Sequence, residues 1–194
     1  KQVIDTAASL ENFSRVAGAG VQEFQKWGVA AETVGISQEK LSDQLKDFNE
    51  KLGEFYNSGG GGMRDFFEQI APKIGITAEA FRGLSGPQGL QLYYDSLQKA
   101  GLGQQQMSFY LESMASDTTA LIPLLRDGGK GFDEMGQKAQ DLGAILDQET
   151  LEAAKRAKEE FLELDMAKKG LSNRIAKELL PSLVSVTDKI NEAA

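Results

Sequence analysis

The feature that most constrains this chain is the apolar series Ala154, Ala157, Phe161, Leu164, Ala167, Leu171, Ile175, Leu179, Leu183, Val186 and Ile190, which advances in steps of three or four throughout. The average step is the 3.6 of a straight α-helix rather than the 3.5 of a tight coiled coil. One long amphipathic helix over 148–192 follows. If continuous it runs about 65–70 Å at 1.5 Å per residue. Gly170 weakens it, and Pro181 removes one hydrogen bond and should bend it. Its apolar face needs a cover, supplied either by the preceding helices folding back or by other copies of the chain.

Upstream, the phrase VGISQEKL at 34–41 returns as IGITAEAF at 74–81. Gly35 can take the left-handed backbone that ends a helix, and Ile36 can fold back on the last turn. Ser37 can then accept from a free amide of the next helix, while Glu39 places negative charge at that helix's positive end. The same logic applies to Gly75-Ile76-Thr77-Ala78-Glu79. Looser versions occur at Gly101-Leu102-Gly103 and at Gly143, where Asp147 is the cap. The glycines lie 40, 26 and 42 residues apart, too irregular for an ordered solenoid.

These stop-and-restart signals separate helices expected at 5–17, 20–33, 38–56, 63–73, 78–83, 87–100, 104–115, 117–127, 130–142 and 148–192. In the third, Leu41, Leu45, Phe48, Leu52 and Phe55 form a narrow apolar stripe. The expected fold is all-α, a series of helical hairpins followed by the long amphipathic C-terminal helix. Asn57-Ser58 and Gly59–Gly62 are the best hinge, because a glycine run resists ordering. Asp127 to Gly131 offers a second break. The expected division is therefore N-terminal hairpins at 1–58, a short-helix subdomain at 63–146 and the long helix at 147–194.

Composition narrows the function. The 194 residues include no cysteine and no histidine, so within this segment thiolate and imidazole chemistry, disulfides and Cys/His zinc sites are excluded. With 29 acidic against 21 basic residues, a net charge of -8 opposes direct nucleic-acid binding. The longest nearly apolar run, Leu179 to Val186, is far shorter than the ~20 residues a membrane span requires. Lys1 opens the chain without a leader, as in a segment of a longer protein.

No motif for catalysis stands out. Gly129-Lys130-Gly131 lacks the following hydroxyl and preceding strand of a phosphate loop, and Asp127–Glu134 lacks the alternating acids of a calcium loop. Ser113 and Ser116 have no positional relation to Lys99 that would make a nucleophile. Glu152, Glu159 and Glu160 with Lys155, Arg156 and Lys158 read as i,i+3 and i,i+4 pairs on a solvated face. Trp27, Tyr93, Tyr94, Phe109 and Tyr110 could line a groove, although helical spacing favours packing. No catalytic, cofactor-binding or metal-binding residue is assigned, no cofactor is expected, and the segment reads as a non-enzyme.

The order of phrases carries more information than any one of them. FSRVAGAGVQEFQKWGVAAETVGISQEKLSDQLKDFNEKLGEF, then LQLYYDSLQKAG, then MASDTTALIPLLRDGGKGFDEMGQKAQDLGAILDQETLEAAKR together resemble a segment of a bacteriophage tail tape measure protein, from about Phe13 to the C-terminus. That resemblance implies a virion structural component lying in the lumen of the tail tube, made in the host cytoplasm. It would set tube length during assembly and leave ahead of the genome at infection. Its partners would be tail-tube and tail-tip proteins, with self-association through the C-terminal helix. Two alternatives stand beside it: a non-viral helical adaptor or scaffold, and a membrane-active effector using the LLPSLVSV face.

Overall fold

The third helix shows how this chain builds its core. In the computed structural model, which describes residues 2–193 and the side chains through Pro181, α1 spans Gln2–Val16, α2 Val21–Glu32 and α3 Gln38–Ser58. Leu41, Leu45, Phe48 and Leu52 of the expected stripe are buried, and the half-buried Phe55 stacks on Phe67 with ring centroids 4.3 Å apart. Around them gather Phe24, Phe66, Phe81, Tyr93, Leu97, Leu111 and Phe132, all buried. Among the described residues every regular element is helical, so the all-α expectation holds.

The stop-and-restart signals work through the expected atoms. Gly35 sits at φ +82°, and the Ile36 amide donates to the Ala31 carbonyl at 3.0 Å, six residues being closed into a left-handed stop. The Ser37 hydroxyl then accepts from the Lys40 amide at 3.2 Å and starts α3. At Gly75 the stop recurs, with the Ile76 amide on the Ala71 carbonyl at 3.1 Å, but the Thr77 side chain makes no cap and only a 3-10 turn, Ala78–Phe81, follows. Gly143 repeats the stop, and the Asp147 carboxylate accepts from the Thr150 amide at 2.7 Å to start the last helix.

Besides 78–83, two expected helices come out differently. The 63–73 segment is a π turn, Phe66–Ile70, running into the short α4, Ala71–Ile74. The wider turn places Phe66 and Ile70 in the core while Phe67 meets both Phe55 and Phe81. The 117–127 segment begins instead as a 3-10 turn, Thr118–Leu121, because Asp117 takes a left-handed conformation at φ +64° and Pro123 fits the first turn of a later helix start. The Glu112 carboxylate holds that corner by accepting from the Asp117 and Thr119 amides, each at 2.9 Å, and from the Thr119 hydroxyl at 2.7 Å.

The remaining helices are α5 at Gly86–Lys99, α6 at Gln104–Met114, α7 at Ile122–Asp141 and α8 at Gln148–Ala193. Ser85 starts α5 with a reciprocal capping box to Gln88. Gly86 is required there, because a Cβ would fall 2.1 Å from the Ala17 carbonyl oxygen, and its amide donates to Gly18 at 3.1 Å. The expected break in α7 is present: Arg126 to Gly129 leave helical geometry, Asp127, Gly128 and Gly129 all having positive φ.

Contacts between elements distant in sequence hold the body together, notably α2 with α7, α1 with α3 and α3 with α5. The core runs from Leu10 to Phe132 and draws residues from both sides of the Gly59–Gly62 run. Gly59 closes α3 in a left-handed conformation, Gly61 and Gly62 lie against Glu54 and Lys51, and Met63 is already fully buried. The glycines form a turn that packs back on α3.

Candidate functional site

The long helix leaves the body. Its first turns are anchored: Ala154 is buried, Leu151 and Ala157 are half-buried, and Lys155 reaches Glu11 of α1 at 3.5 Å. Residues 158–181 are all exposed, about 36 Å of helix on which only Lys158, at its start, lies beside α1. Along this stretch Phe161, Leu164, Leu171, Ile175 and Leu179 fall within one narrow arc, and each is 48–65% exposed. A stripe of large apolar groups in water is the mark of an interaction surface rather than of a core.

The cover expected for that face is thus partial. Among the described residues the body reaches only the start of α8; Leu179 and Leu180 of the LLPSLVSV face are exposed, and Leu183, Val184, Val186 and Ile190 lie outside the residues whose side chains are described. Lys155 also departs from expectation, pairing with α1 instead of with Glu152 or Glu159 on its own helix. Among the described residues no helix is long and apolar enough to cross a membrane.

The direction in which α8 leaves is set by a contact that no local pattern announces. Gln25 of α2, 3% exposed, donates its amide to the Leu146 carbonyl at 3.0 Å and accepts from the Leu146 amide at 2.8 Å. Gln22 adds a donor to the same carbonyl at 2.7 Å. A primary amide satisfies both backbone groups of one residue, so the connector between α7 and α8 is clamped just before the Asp147 cap. Spacing along the chain cannot show this, since the partners are 121 residues apart.

The other groups singled out from the sequence are engaged in packing or local bonds. Tyr93, Tyr94 and Tyr110 are buried, and the Tyr93 hydroxyl donates to the Tyr110 carbonyl at 3.1 Å; burial pushes its pKa up. Trp27 stacks on Phe132 at 3.7 Å between centroids, whereas Phe109 is exposed beside Tyr110. Ser113 donates to the Tyr110 carbonyl, Lys99 reaches the Ile74 carbonyl and the Ser116 carbonyl accepts from Gln44. Lys130 pairs with Glu134 at 3.4 Å.

One concavity in the body combines aromatic and acidic walls, with Trp27, Phe132, Glu23, Asp95 and Asp133 around the break in α7. Gln91 bridges its floor, donating to both the Asp95 carboxylate and the Leu125 carbonyl at 2.8 Å. Burial raises the pKa of Asp95, with the Gln91 hydrogen bond opposing it. Gln91 thereby caps the carbonyl left free where the helix breaks, while its own Oε1 is buried without a hydrogen-bond partner. Comparison of the chain with models of known protein families, with curated proteins and with solved structures returns no match.

Proposed function

We propose that this chain is a non-catalytic structural segment of a phage tail, part of the tape measure protein that sets tail-tube length during assembly and is released ahead of the genome. The observation that carries the reading is the uncovered amphipathic stretch of α8, rooted in a helical body by Gln25 and Lys155. A rod with an open apolar stripe is an assembly element, and the order of phrases along the chain supplies the kind of assembly. Tail-tube and tail-tip proteins are the partners in this reading. The short helices of the body, separated by glycine stops, act as a series of hairpins that open in turn for passage through a narrow tube.

Only α8 has the extended geometry of a ruler, about 1.5 Å per residue. The test is therefore made there, in the parent gene. Inserting two or four extra copies of residues 158–175, each five full turns, keeps the stripe on one face and adds about 54 or 108 Å of helix. Tails in electron micrographs that lengthen by those increments support the reading. Tails of unchanged length overturn the ruler role, and absence of the protein from virions favours the adaptor alternative, in which the same stripe holds one stable partner.

A further inference from the structure

The charges on the exposed stretch of α8 are sorted by sign along the helix. Glu159, Glu160, Glu163 and Asp165 occupy one half with no basic residue among them. Lys168, Lys169, Arg174 and Lys177 occupy the next half with no acid before Glu178. All eight are exposed, and none of them forms an ion pair among the described residues. Within the uncovered stretch Phe161, Leu164, Leu171 and Ile175 fit a seven-residue repeat in which Lys168 takes one seam position; upstream the repeat continues into Ala157 and Ala154 where α8 is rooted on the body, and downstream Leu179 leaves it.

From this sorting we propose that the occupant of the stripe is the same stretch of a second copy, running antiparallel and centred near Met166. In that register Phe161 lies against Leu171 of the second copy, twice by symmetry, and Leu164 lies against the stem of its Lys168. Glu160 faces Arg174 across the seam twice by symmetry, and Lys168 reaches Asp165. The pairing is closed, so it stops at two chains. A parallel pair in register does the reverse: it sets Glu160 beside Asp165 and Lys168 against Lys168, so both of these charged contacts are between like charges. The proposal rests on the open stripe and its charges, and does not depend on a role in tails.

The chain has no cysteine, so a single introduced thiol is unique and can carry a spin label. Glu159→Cys, Met166→Cys and Asn173→Cys lie seven residues apart on the outer face of α8, away from the seam. In the labelled 194-residue chain, pulsed electron resonance should give the shortest distance at 166 and an extra axial offset of about 20 Å at both 159 and 173. Equal distances at all three sites mean parallel chains and overturn the proposal, as does a monomer by sedimentation at ~100 µM. Charge reversal gives a second readout. Glu160→Arg should weaken pairing about tenfold and Glu160→Arg with Arg174→Glu should restore it; a double variant as weak as the single one also overturns the antiparallel register.

Discussion

At the scale of single residues, the position with the largest structural consequence for its size is Gln25. Its amide satisfies both polar groups of the Leu146 backbone from a buried site, so truncation leaves the Leu146 amide without its acceptor and the carbonyl with Gln22 as its one remaining donor. Gln25→Ala should lower unfolding stability by about 1–3 kcal/mol in urea titration, with the loss centred on the connector to α8 and visible as faster amide exchange at Leu146. A second residue-scale prediction concerns acid. Burial disfavours the charged form of Glu112, yet the donors from Thr119 and Asp117, with Lys40 nearby, outweigh it and hold the carboxyl below its ordinary value of 4.5. A depressed folded pKa contributes stability that is present above the unfolded value and lost as pH falls through the folded one. Glu112→Gln should therefore flatten the fall in stability between about pH 5 and 3, measured by denaturant midpoint at each pH. Neither role was legible beforehand: Gln25 looks like any polar residue on an amphipathic helix, and the Glu112 corner exists only because Asp117 turns left-handed.

Elements were legible where the chain carries its own punctuation. The α3 boundaries follow from Gly35, Ile36 and Ser37, and its buried face follows from the spacing of Leu41, Leu45, Phe48 and Leu52. Ser37→Ala removes the acceptor of the Lys40 amide and should cost about 0.5–2 kcal/mol in thermal or urea unfolding. Phe48→Ala at the centre of the same helix should cost about 3–5 kcal/mol, since Phe48 is fully buried and meets Tyr93 edge-on at 5.7 Å. Where punctuation is weak, the packing decides. Residues 63–73 carry helical spacing, but burying Phe66 and Ile70 while leaving Phe67 free to meet two other rings requires the wider π turn. The Thr77 signal resembles the Ser37 signal in letters, yet Pro72 and Gly83 confine the segment to short turns.

For the whole molecule, the sequence showed an apolar face needing a cover without showing how little of it the body would supply. The body's core closes on itself from Leu10 to Phe132, and among the described residues α8 touches it only through its first turns. Stability of the body and availability of the rod are thus separate properties of one chain. A chain ending after Ala157 should keep the body's unfolding midpoint within about 2 °C of the full chain. Trp27, the single tryptophan, stacks on Phe132 inside the body, so its fluorescence follows the body alone, while far-ultraviolet dichroism follows the lost helix. In the full chain the two signals should separate on heating, because an uncovered helix gains no tertiary support and melts broadly. A single shared transition, or a body that loses many degrees on truncation, would mean that residues beyond 157 pack on it and that the stripe is not free for a partner.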